Sequence, residues 1–284
     1  MRYLVLVFVL LLASCSDLID VIVPVDTTPF LPQERVGVHM HPNGADCGDV
    51  QDAAGTFPMI RMQAPGGAER YVEALIACAP THARFLLLLS ITSDPRIVTR
   101  LSMEPKVIGW ELENEPDNFL GWAPEEYVAW VDAILPEIAG RKGDHQILVS
   151  AATVPLVHEW DRILKWNQRL IELGVLNGFD VYNIHVYGRS WSKLPEVRDT
   201  IERARSMVRL HEVWVTETGS PDSPVEYFRQ TPGVWALHKI LPERWFIYAY
   251  IDDHLGYSLK VLDGDERVDG PLLIELKEEW GLNG

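Results

Sequence analysis

Acidic residues crowd into Glu111-Leu112-Glu113-Asn114-Glu115-Pro116-Asp117, directly after the apolar run Val107-Ile108-Gly109-Trp110. Charges on a solvated loop mean little, but carboxylates at the end of a buried strand are costly unless they have a task. A second carboxylate, Glu217, closes another apolar run in Val213-Trp214-Val215-Thr216-Glu217-Thr218-Gly219. Two carboxyls that meet across a cleft can divide the work. One, kept protonated, is a general acid, and the other, ionised, is a nucleophile. Other runs also end in polar residues: His39 and His41, Arg61, and the set Asn183, His185 and Tyr187, which alternate on one face of an extended strand.

These residues can meet only if the runs that carry them share one scaffold. β-rich runs fall at 36–41, 57–62, 84–89, 107–112, 146–150, 180–185, 212–216 and 245–250. Helical spacing of apolar residues fills the gaps, at 124–139 (Val128, Val131, Ile134, Leu135, Ile138), 159–173, 195–210 and 271–280. The gap after the first run, Gly44 to Gly55, is small and polar and gives the weakest helical signal. Strand–helix alternation implies parallel strands with covering helices. Eight such units predict a single-domain α/β (β/α)8 TIM barrel over residues 35–284, with its site at the carboxyl ends of the strands. A doubly wound sheet is disfavoured, because no Gly-rich phosphate turn follows the first run. On a barrel, the fourth and seventh strands stand on opposite sides of the mouth. Their two carboxylates then suit glycosidic bond cleavage, by direct attack at roughly 5–5.5 Å separation or through water at roughly 6.5–9.5 Å.

The pattern resembles the clan A glycoside hydrolases, retaining enzymes built on this barrel. In that clan an Asn-Glu pair closes strand four and a second Glu closes strand seven, as Asn114-Glu115 and Glu217 do here. The resemblance implies Glu115 as acid/base and Glu217 as nucleophile. It implies Asn114 as the holder of the sugar hydroxyl beside the reacting carbon, and Arg61 as support for the nucleophile. His185 and Tyr187 match the clan's His-x-Tyr on strand six, with the tyrosine bonded to the nucleophile, and Asn183 and His39 join the substrate-binding set. The tail Val261-Leu262-Asp263-Gly264 before a last helix is also of the clan's type. One departure stands out: many clan members end strand eight in a tryptophan that floors the sugar site, and here Tyr250 is expected in that place. Glu111 and Glu113 read as structural, one ion-paired behind the barrel and one facing a helix, and Trp110 and Trp214 read as wall residues. The resemblance calls for a carbohydrate substrate, no cofactor and a monomer. Short loops between strands suit an open cleft and internal attack on a polymer.

Two rival readings use the same scaffold. His39-Met40-His41 resembles the His-x-His of metal-dependent amidohydrolases, which His185 and Asp252 or Asp253 could extend to a zinc site. Strand five, Leu148 to Thr153, offers no histidine for it. The other rival is a non-catalytic glycan-binding lipoprotein, for which two glutamates are not needed.

The bulk properties agree with a folded chain that handles neutral or cationic ligands. The 284 residues are 47% hydrophobic with a formal net charge of −16, which argues against nucleic acid and anionic membrane surfaces as partners. Residues 1–15, MRYLVLVFVLLLASC, have one early cation and an apolar run shorter than a transmembrane helix. Leu12-Ala13-Ser14-Cys15 resembles the bacterial lipobox, which implies lipidation at Cys15, a tether over 16–34 rich in Pro and Thr, and a place in the bacterial cell envelope. The membrane is then met through the lipid alone. Export would permit a disulfide between Cys47 and Cys78, although the apolar helical setting of Cys78 favours a buried free thiol.

Overall fold

The computed structural model describes residues 32–153, 160–187, 194–207, 212–220, 224–237, 239, 242–250, 259–263 and 266–282. The leader with Cys15, most of the tether, Asp252, Asp253 and Gly264 lie outside the described residues. Eight parallel strands close into a barrel in sequence order, the TIM barrel that the alternation predicts. They are β1 Val36–Met40, β2 Met59–Gln63, β3 Arg84–Leu89, β4 Val107–Leu112, β5 Ile147–Val149, β6 Val181–Tyr187, β7 Glu212–Gly219 and β8 Arg244–Ile247. The helices are α1 Cys47–Thr56, α2 Glu69–Cys78, α3 Arg96–Arg100, α4 Pro116–Phe119, α5 Pro124–Arg141, α6 Trp160–Leu173, α7 Leu194–Met207, α8 Pro224–Leu237 and α9 Pro271–Glu279. A short antiparallel pair, β9 Lys260–Asp263 and β10 Glu266–Asp269, precedes α9.

Helix α1 forms despite its weak periodicity because its start is well capped. Asp46 accepts from Asp49 N at 3.0 Å while Asp49 accepts from Asp46 N at 2.9 Å, a reciprocal capping box. Val50, Ala53 and Ala54 then bury its inner face.

Two apolar layers hold the barrel. Met59, Leu86, Val149, Val181, Trp214 and Phe246 form one buried cluster. A larger cluster, with Trp110 and Leu112, packs the strands against the helices. Gly37 makes room for the first: a Cβ there would lie 2.6 Å from the Phe246 ring. Above that cluster the register sets His39 beside Arg61 and His185 beside Glu217, so polar side chains replace apolar ones toward the mouth.

Cys47 and Cys78 form a disulfide across a separation of 31 residues, with their Cα atoms 5.9 Å apart. The free thiol expected at Cys78 is therefore corrected. Its apolar helix carries it to Cys47, a proximity that spacing along the chain does not reveal.

Candidate active site

The site is organised by one guanidinium. Arg61, fully buried on β2, has five N–H donors and makes five contacts. Nε and Nη2 donate to Glu111 Oε2 and Oε1, both at 2.7 Å. Nη2 also donates to Asn114 Oδ1 at 2.7 Å, and Nη1 to Glu217 Oε1 at 2.6 Å. Nη1 lies 2.8 Å from His39 Nδ1. Because arginine only donates, His39 Nδ1 accepts and the ring proton sits on Nε2. That buried Nε2–H has no hydrogen-bond partner. Burial and the neighbouring Arg61 hold the His39 pKa well below the ordinary value, so the ring stays neutral.

Glu217 is held as a carboxylate. Tyr187 donates to its Oε2 at 2.6 Å, opposite the Arg61 bond to Oε1. Burial alone would raise its pKa. The charges of His185 and Arg61 and the bonds from Tyr187 and Arg61 outweigh burial and lower it.

Glu115 is different: among the described residues, no cation other than a protonated His185 touches it. Its Oε1 lies 2.8 Å from His185 Nδ1, and Asn118 Nδ2 approaches Oε2 at 3.4 Å. The proton in the Glu115–His185 contact can be traced through Thr216. The Thr216 hydroxyl lies 2.8 Å from Asn183 Oδ1, 3.4 Å from Glu111 Oε1 and 3.1 Å from His185 Nε2. The first two accept only, so the hydroxyl proton goes to them and His185 Nε2 must donate to Thr216. A neutral His185 then has its lone pair on Nδ1, facing Glu115. One proton therefore occupies that contact, as carboxylic acid to imidazole or as carboxylate to imidazolium. Burial raises the Glu115 pKa, with the Glu217 charge adding to it against the His185 bond. Burial lowers that of His185, but Glu217 and Glu115 more than reverse it. A carboxyl oxygen of Glu115, a carboxyl oxygen of Glu217 and a ring nitrogen of His185 lie within 4.8 Å of one another.

The backbone after β4 is bent to aim these groups. Glu113 and Glu115 have φ of 73° and 47°, a left-handed conformation uncommon for residues with a side chain. Glu113 offsets that cost by accepting from Ile91 N at 2.7 Å and from Asn114 N at 3.0 Å. Glu115 N donates to Ala152 O at 3.0 Å, tying the turn to the end of β5.

Arg61, Asn114, Glu115, Asn183, His185, Tyr187, Glu217 and His39 thus come together at one end of the barrel. Two expectations need correction. The ion pair expected behind the barrel, at Glu111 or Glu113, lies inside it: Glu111 holds Arg61 and also accepts from Asn183 Nδ2 at 2.8 Å, in the network beneath the carboxyl pair. Tyr250 is not at the mouth. It is fully buried with Phe57 in the outer apolar layer, and its hydroxyl donates to Asp52 Oδ2 at 2.6 Å. The strand-eight aromatic at the site is Tyr248, whose ring stacks on His39 at 5.2 Å and whose hydroxyl lies 3.0 Å from His41 Nε2. Its peptide bond to Ala249 is cis. Tyr248 and Tyr250 have the same parity along the run, and no local signal separates them. Thr216, which sets the His185 tautomer, was also missed, although it directly precedes Glu217 in the quoted run.

As metal ligands these donors fit poorly. His39 Nδ1 is taken by Arg61, and a guanidinium stands among the carboxylates where a cation would have to sit. Both Glu217 oxygens already accept bonds from side chains.

No protein-family model matches the chain, and no curated protein matches it by sequence. Solved structures do match, glycoside hydrolases among them. The chain is similar to an endo-β-1,4-mannanase from Thermotoga petrophila, with a TM-score of 0.59 and 12% identity over 91% of this chain and 78% of that one. It is similar to a GH5 cellulase from an Icelandic hot spring isolate, with a TM-score of 0.58 and 12% identity over 87% and 88%. A GH128 exo-β-1,3-glucanase from Aureobasidium namibiae matches with a TM-score of 0.54 and 14% identity over 80% and 90%. What all three share with this chain is the fold.

Proposed function

We propose that the protein is a retaining glycoside hydrolase that cleaves O-glycosidic bonds of a poly- or oligosaccharide by double displacement. The carrying observation is the pair of buried carboxyls with oxygens within 4.8 Å, one held charged and the other sharing a proton. That proximity favours direct attack over attack through an intervening water. Glu217 attacks the anomeric carbon while Glu115 protonates the leaving oxygen. Glu115 then takes a proton from water, which releases the sugar from Glu217. Asn114 has its Oδ1 committed to Arg61, which leaves its amide N–H to bind the hydroxyl beside the reacting carbon. The Nε2–H of His39 is a second donor for the sugar, with Tyr248 beside it as an aromatic wall.

Removing Glu217 should abolish turnover and leave the fold intact. Azide should then restore activity to Glu217→Gly with the opposite anomer as product. Azide rescue with the wild-type anomer would sink the assignment.

We also propose that the chain is exported and lipid-anchored at Cys15. The Cys47–Cys78 disulfide supports an oxidising compartment. Mass spectrometry of the protein from a bacterial envelope should find the lipid, and Cys15→Ser should lack it; an unlipidated wild type refutes the anchor.

A further inference from the structure

Asp117 lies two residues beyond Glu115 in the single turn α4, with its side chain shut off from solvent. Neither carboxyl oxygen has a hydrogen-bond partner. Its ionic neighbour is Arg162 on α6, whose Nη1 is 3.5 Å from Oδ2, beyond good hydrogen-bond distance, on a side chain that is 44% exposed. An asparagine would fill the same space without a charge to bury, so packing does not account for a carboxylate here. Among the described residues, the titratable groups that face it, besides Arg162, are Glu115 at the end of β4 and His185 on β6. Its field therefore falls on the acid/base pair.

We propose that Asp117 is a positioning residue for the proton on Glu115: its buried carboxylate opposes ionisation of Glu115 and keeps the proton in the Glu115–His185 contact until the leaving oxygen takes it. The inference rests on the double-displacement reading and adds a reason for two like charges. Glu217 also opposes ionisation of Glu115, but its charge disappears when it becomes an ester of the sugar. The Asp117 charge persists through both steps and keeps Glu115 basic enough to accept a proton from water in the second. Burial pushes the Asp117 carboxyl up to about 6, against the pull of Arg162, so most of its charge is in place at neutral pH and is lost on acidification.

The test is a titration of the full chain labelled with [13C]carboxyl glutamate, followed by NMR, with the Glu115 signal identified by its loss in Glu115→Gln. In Asp117→Asn the Glu115 midpoint should fall by about one pH unit, the size expected of a nearby like charge at an effective dielectric of about 20. The alkaline limb of kcat/KM should move the same way. Arg162→Gln removes a cation from the same pocket and should shift the midpoint upward, an opposite sign that loss of packing would not produce. Because Arg162 is half-exposed, this variant should fold even where Asp117→Asn does not. An unchanged Glu115 midpoint in Asp117→Asn, or a downward shift in Arg162→Gln, overturns the proposal. Absence of glycosidase activity in the wild type would refute the functional reading instead, while the titration would still report the Asp117 field.

Discussion

Arg61→Lys should damage this protein more than any conservative exchange on its surface. Five N–H groups of Arg61 meet five acceptor contacts, two of them to Glu111 and one to Glu217, with no exposure to water. A lysine ammonium has three protons on one nitrogen and cannot span the Glu111 carboxylate and also reach Glu217, Asn114 and His39. At least two buried acceptors are then left empty, at about 1–3 kcal/mol each. The positive charge stays, so the loss is that of these unmet acceptors, about 2–6 kcal/mol in total. For a domain of this size that corresponds to a Tm lower by about 4–24 °C. Differential scanning calorimetry of both proteins at neutral pH is the assay. The gap should also depend on pH. The folded-state pKa of Glu217 is lowered, so its contribution is complete above the ordinary glutamate value and is lost as pH falls through the lowered one. The wild-type advantage should therefore shrink on acidification. An Arg61→Lys protein that melts within about 2 °C of wild type would refute the reasoning that the guanidinium is fully used.

Glu115→Gln should erase the alkaline limb of the kcat/KM profile. It should also slow substrates with poor leaving groups far more than activated aryl glycosides, and an equal loss on both would mean that Glu115 is not the acid. Tyr248→Ala should raise KM through loss of the wall beside His39, with little change in Tm. Tyr250→Phe should do the reverse, lowering Tm by the lost bond to Asp52, worth about 1–3 kcal/mol, and leaving kinetics alone. Opposite behaviour of the two tyrosines would restore Tyr250 to the mouth.

The barrel was legible because each strand run is short, apolar and separated by helical periodicity, and because Glu115 and Glu217 close two of those runs. Strand alternation put Asn183, His185 and Tyr187 on one face, while Arg61 was legible only through the resemblance. What failed were questions of where a strand ends and of long-range proximity. The run 245–250 reads as one strand, but its ladder ends at Ile247, so the alternation expected to aim Tyr250 no longer applies. Glu111 looked structural because its partner Arg61 is 50 positions away and on the inner face of another strand. The Cys47–Cys78 pairing depends on how two helices dock, which neither cysteine's neighbours encode. Asp117 was visible in the acidic run, but its burial with no hydrogen-bond partner is a property of the folded state alone.

The central claim is that Glu217 becomes covalently bound to the sugar. Wild-type protein should be incubated with an activated 2-deoxy-2-fluoro glycoside of a sugar that it hydrolyses, digested, and mapped by tandem mass spectrometry. The account predicts one added glycosyl group, carried by Glu217, that disappears on prolonged incubation as activity returns. A label on Glu115 or on another residue, or steady inhibition with no covalent adduct at all, would contradict it.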